Sequence, residues 1–127
     1  ETIKPASVAG DAEANRVFDE AIEQAKDAYA RLVELGVPAE DARYLLPNAA
    51  ETKIVVTMNV RELLHFFELR CCNRAQWEIR DLAHRMLELV RPTAPFVFLD
   101  AGAPCVHRDC PEGKMCCGNP YPRVSRS

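Results

Sequence analysis

The chain has 127 residues, 48% apolar and 28% charged, with a net charge of -3. That length fits one modest domain, and the composition is that of an ordinary globular protein rather than a disordered one. The charge gives no bulk attraction for nucleic acid or an acidic membrane, so any anion must be bound by locally placed arginines.

No apolar run approaches the roughly 20 residues of a membrane-spanning helix, and no signal-like segment opens the sequence. A cytoplasmic protein with no membrane partner is the expectation. Residue 1 is glutamate rather than methionine, which suggests a processed or truncated chain. The six cysteines are then expected to be thiols, with a metal reading held beside that.

Residues 1–10, with Pro5 and Gly10, read as a loose lead-in. From Asp11, Phe18, Ile22, Ala25, Tyr29, Leu32 and Val33 recur at helical spacing until Gly36 and Pro38 stop the run. A short second helix is expected over 39–46, closed by Pro47. Residues 52–58 alternate, with Ile54, Val56 and Met58 on one face, and predict a strand. A lone strand is unstable, so it must pair with another segment or chain. Asn59-x-x-Glu62 caps a third helix to about residue 71, and Asn73-x-x-Gln76 repeats the signal for a fourth to about residue 90. Its expected core stripe is Ala75, Ile79, Leu82, Ala83, Met86 and Val90. Phe96 to Leu99 forms an apolar anchor, giving a helical portion over 11–99 and a Cys-rich tail over 100–127.

On the third helix, Leu63, Phe66 and Phe67 define the apolar side and Arg70 falls among them. A buried cation without a partner is costly, so Arg70 either meets a bound anionic or polar group or snorkels out of the last turn. Asn59, Arg61 and His65 cluster at the start of the same helix, where the terminus favours anions and an arginine adds a fork for phosphate. The alternative is a solvated helix start. Trp77 lies off the fourth helix's stripe, which points to a partner surface or to coverage by the tail. In the tail, Cys105, His107, Cys110, Cys116 and Cys117 could hold zinc, but C-x4-C-x5-C-C lacks the paired knuckles of a zinc ribbon. Cys71 and Cys72 have no histidine base at a useful offset and read as packing residues.

The segment Asn59-Val-Arg61-Glu-Leu-Leu-His65-Phe-Phe-Glu-Leu-Arg70, followed by Ala75-Gln76-Trp77-Glu78-Ile79-Arg80, resembles the C-terminal signature of flavin-dependent thymidylate synthases. Gly36-Val-Pro38 through Ala42-Arg43-Tyr-Leu-Leu-Pro47 resembles an upstream stretch of the same family, and the similarity runs over 18–98. The resemblance implies an α+β enzyme, of which this is the mostly helical C-terminal portion with about four helices and one strand. It implies methylation of dUMP to dTMP with methylenetetrahydrofolate, FAD reduced by NADPH, and a homotetramer with shared sites.

Carried over by position, Arg70 matches the arginine that contacts the uracil ring and promotes its ionisation. Arg43 matches an arginine that binds dUMP, and Asn59, Arg61 and His65 match positions lining the flavin site. Arg74 stands where some relatives have a flavin-contacting histidine. The family's R-H-R-x-x-S-x-N-E-x-S-x-R motif is not in these residues, so half a site and little or no synthase activity alone are expected. Two other readings remain: a non-catalytic nucleotide- or flavin-binding or subunit-contact module, and a small metal-binding interaction protein.

Overall fold

The Asp11 carboxylate accepts the Ala14 amide at 2.8 Å and so caps the longest helix of the protein. The structure, a computed structural model, describes residues 1–124 and divides into two compact units, Glu1–Val55 and Val56 onward. The first unit holds α1 (Ala6–Ala9), α2 (Ala12–Glu34), α3 (Ala39–Ala42) and a 3-10 turn, Arg43–Leu45. Helix α2 ends where the sequence places its stop. Gly36 takes φ +85°, and the Val37 amide reaches back to the Leu32 carbonyl at 3.0 Å, a close that a side chain at Gly36 would strain. Ile22 and Ala42 are the buried residues of this unit.

The opening residues are more structured than a loose lead-in. Ile3 donates to the Ala49 carbonyl at 2.8 Å, Thr2 bridges Ala50, and Lys4 pairs with Asp19 at 2.6 Å while lying over the Phe18 ring.

The expected strand over 52–58 has no ladder. Among the described residues the single β contact is the isolated bridge between Thr2 and Ala50, so the part of the fold seen here is mostly helical. The physical reason is pairing: Ile54, Val55 and Val56 are 78%, 102% and 54% exposed, and among the described residues no neighbouring segment makes ladder hydrogen bonds to them.

The second unit is built on α4 (Val60–Arg70) and α5 (Trp77–Val90), followed by the one-turn α6 (Pro95–Phe98) and two 3-10 turns, Pro104–Val106 and Gly113–Met115. Asn59 caps α4 as expected, its Oδ1 accepting the Glu62 amide at 3.0 Å. The cap of α5 is Gln76, not Asn73: Gln76 Oε1 accepts the Glu78 and Ile79 amides at 3.0 and 3.1 Å. Asn73 is drawn away by the tail, donating to the Asn119 carbonyl and accepting the Tyr121 hydroxyl, both at 2.7 Å.

The core joins Phe67, Cys71, Ala83, Leu87, Phe98, Ala101 and Ala103. Phe67 meets Phe66 and Phe98 edge-on, with centroids 5.9 and 6.3 Å apart. On α5 the buried line runs through Ala83 and Leu87, whereas Leu82, expected inside, is 48% exposed. Beyond α6, Gly102 takes φ +140° and its backbone lies against Val106 and Leu87, letting the chain turn back over α5. The described part of the tail then packs through Cys105 and Tyr121, while residues 125–127 of that segment lie outside the described residues. No described helix is long and apolar enough to cross a membrane.

Candidate functional site

Helix α4 spaces Asn59, Glu62, His65, Phe66, Leu69 and Arg70 along one side, and with Thr57 and Met58 they line an open groove of about 350 Å³. Three of the expected site residues, Asn59, His65 and Arg70, therefore share one hollow. The fourth on this helix, Arg61, is one turn from His65 and shares with it a second, wider hollow of about 580 Å³, which His107 and Glu68 also line. His65 is the side chain common to both.

Arg70 is not at the middle of the buried side of α4. The fully buried positions are Phe67 and Cys71, about 60° and 100° away from Arg70 on the helix. Arg70 is exposed at the margin, and no hydrogen bond or ion pair holds it among the described residues. The cation is thus stable by hydration, in the last turn where the helix dipole favours it. Its guanidinium remains available to a ligand in the groove.

The N-terminus of α4 presents a second polar element. Asn59 spends its carbonyl oxygen on the cap, and Arg61 and His65 stand exposed one turn apart beyond it. This set offers hydrogen-bond donors and positive charge beside unpaired helix amides, the chemistry that suits phosphate or another anion. Arg43 is exposed at the start of the 3-10 turn of the first unit, directly after the buried Ala42.

Arg74 is engaged elsewhere, in a 2.8 Å ion pair with Glu112 of the tail. Trp77 is 41% exposed, so the tail leaves much of it uncovered; the tail covers His84 instead, whose Nε2 lies 3.2 Å from the Tyr121 hydroxyl. The sequence pattern gave no sign of this Asn73–Tyr121–His84 chain, because its members are far apart along the chain and carry no spacing signal.

Cys71 is fully buried, and burial pushes its thiol up to about 11 against a smaller opposite pull from Arg91. It is a core side chain and not a nucleophile at neutral pH. Cys72, Cys105, Cys110, Cys116 and Cys117 all border a third hollow of about 230 Å³ at the end of α4, together with Arg70 and Arg74. Among the described residues no three His, Cys, Asp or Glu side chains are placed to hold a metal ion, so Cys105, His107, Cys110, Cys116 and Cys117 are not assembled as zinc ligands.

The sequence profile of the family described as "Thymidylate synthase complementing protein" matches residues 1–96. A flavin-dependent thymidylate synthase of Geobacter sulfurreducens is 60% identical over 116 residues, which cover 91% of this chain and 50% of the relative. The synthase of Nitratidesulfovibrio vulgaris is 47% identical over 130 residues, covering 94% and 53%, and that of Clostridium tetani is 43% identical over 132, covering 91% and 53%. The chain spans about half the length of these relatives. Coverage this high also carries the likeness beyond residue 98 into the Cys-rich tail.

Proposed function

The chain belongs to the flavin-dependent thymidylate synthase family, and on that premise we propose that α4 supplies one side of a nucleotide and flavin site in a dUMP-methylating enzyme. The observation that carries this reading is the groove in which Asn59, His65 and Arg70 come together, with Arg61 one turn away. The full reaction would convert dUMP to dTMP with methylenetetrahydrofolate as methylene donor and FAD reduced by NADPH. The remaining site walls, and strands to pair with residues 52–58 in an α+β fold, would come from residues outside this segment and from other subunits of a homotetramer. A cytoplasmic enzyme is the setting this reading implies.

The donor set fits a flavin nucleotide: a capped helix N-terminus with Arg61 and His65 beside it suits an anionic or carbonyl-rich edge. Bound flavin supplies the hydride chemistry that no side chain here can perform. Within the chain itself, Asn59 holds the start of α4, and Arg61 and His65 orient the cofactor. Arg70 places a fixed cation beside the uracil ring, where negative charge develops as the ring ionises. Arg43 binds dUMP. No cysteine attacks the ring in this scheme, which accords with the inert Cys71.

Titration of the purified chain with FAD, with and without dUMP, tests the reading. Saturable binding that dUMP strengthens is expected if α4 holds a working half-site. Absence of binding both in this chain and in a full-length synthase carrying these residues would end it. In that full-length protein, Arg43→Ala should weaken dUMP binding about tenfold to a hundredfold, the loss of a charge-assisted contact. An unchanged dissociation constant by calorimetry would remove Arg43 from the site.

A further inference from the structure

The family profile ends at residue 96, and each residue given a role in the site so far lies before that point. The wider hollow beside α4, however, is walled partly by later residues. Its α4 side carries Arg61, His65 and Glu68 with the apolar Val60 and Leu64, spaced so that they share one face of the helix. The rest of its lining comes from α6, residues 100–102 and His107 of the tail. At about 580 Å³ the hollow has room for part of a nucleotide.

His107 is fixed at this hollow by its neighbours along the chain. The 3-10 turn Pro104–Val106 is closed by the Val106 amide on the Ala103 carbonyl and the Arg108 amide on the Pro104 carbonyl, both at 3.0 Å. The Val106 carbonyl is held in turn by the Val124 amide at 2.9 Å. Arg108, the next residue, pairs with Glu68, which lies three residues beyond His65 on α4. The tail is thereby tied to α4 directly beside His107, whose imidazole stays exposed.

The charges around the hollow leave donors to spare. Arg61, His65 and His107 make no side-chain hydrogen bond or ion pair among the described residues. Of the two acids that border the hollow, Glu68 is taken by Arg108, and Asp100 is half-buried with its Oδ1 shielded from solvent. Without Arg108, Glu68 could turn to His65 across one turn of helix. The Arg108 pair removes that competitor, and a phosphate can accept from an arginine and two imidazoles together.

We infer that His107 is a further phosphate-binding residue of this protein, adding a donor from the tail to Arg61 and His65 for the phosphate of the flavin nucleotide. The inference rests on the flavin reading of α4 and extends it to a residue that the family profile does not reach. His107 binds and positions; it takes no part in the reaction at the ring.

The test is calorimetric titration of a full-length synthase carrying these residues, unsubstituted and as His107→Ala, with FAD, with dUMP and with riboflavin, which has no phosphate. His107→Ala should raise the FAD dissociation constant about tenfold, the loss of one charge-assisted contact, and leave dUMP and riboflavin within about twofold. His107→Arg, which returns a charged donor, should recover most of the FAD affinity. Circular dichroism should show no change, since an exposed side chain leaves no cavity. An unchanged FAD dissociation constant in His107→Ala overturns the inference and leaves the α4 reading standing. A loss confined to dUMP would assign the phosphate to the substrate, and an equal loss for FAD and riboflavin would make the role one of packing; either overturns the inference. An unsubstituted protein that binds no FAD would end both readings.

Discussion

Replacing Arg70 by alanine in a full-length synthase carrying these residues is expected to lower turnover on the order of a hundredfold or more while leaving the fold and FAD binding in place. The effect is electrostatic. Arg70 is exposed at the rim of the groove and holds no partner among the described residues, so its removal opens no cavity and breaks no internal ion pair. What is lost is a fixed positive charge where the ring becomes negative, and loss of one such preorganised donor costs about 10²–10³ in rate. Arg70→Lys keeps the charge but not the planar fork, so it should recover part of the rate and little of the ring positioning. The measurement is kcat beside the dUMP dissociation constant, with circular dichroism and flavin fluorescence as controls. Wild-type kcat in Arg70→Ala would remove this residue from the chemistry. Loss of flavin binding in step with rate would show that it acts by holding the cofactor instead.

The parts of the fold that the sequence made legible are those set by local chemistry. Asp11 and Asn59 are short polar side chains at helix starts, and both accept the amide three residues on. Gly36 before Pro38 marked a stop that the structure closes at the same residues. What failed was set by distant partners. Asn73 looks like a cap, but Asn119 and Tyr121 compete for its amide, and Gln76 takes over the helix start. On α5 a periodic stripe fits either Leu82 or Leu87; the core of Phe67, Phe98 and Ala101 selects Leu87. Residues 52–58 carry a strand's alternation, yet alternation specifies a face and not the neighbour that must pair with it.

The site shows the same division. Asn59, Arg61 and His65, spaced along the start of one helix, stand exposed on it and border two adjoining hollows. For Arg70 the sequence left two readings open, a bound partner or a cation snorkelling out of the last turn; it is exposed, because the apolar arc drawn from Leu63, Phe66 and Phe67 has its centre shifted by Cys71, which is fully buried. A helix wheel weights a cysteine little, and here the cysteine and Phe67 together define the inward direction.

That weighting leads to the largest stability effect expected in this protein. Phe67 is wholly buried, edge-on to Phe66 and Phe98, in the cluster that also seats Cys71, Ala83 and Leu87. Phe67→Ala removes a ring from the place where α4, α5 and α6 meet, and should cost about 3–5 kcal/mol, a large share of the roughly 5–15 kcal/mol that holds a domain together. Phe96, in α6 two residues before Phe98, is 97% exposed, and Phe96→Ala should change stability by less than about 0.5 kcal/mol. Urea denaturation followed by circular dichroism measures both, and Phe67→Leu, which refills most of the space, keeps the comparison readable if the alanine variant fails to fold. Equal losses at positions 67 and 96 would mean that the packing around α4 is not as described. A selective loss at 67 would tie the orientation of α4, and with it the groove that Asn59, His65 and Arg70 line, to one buried ring.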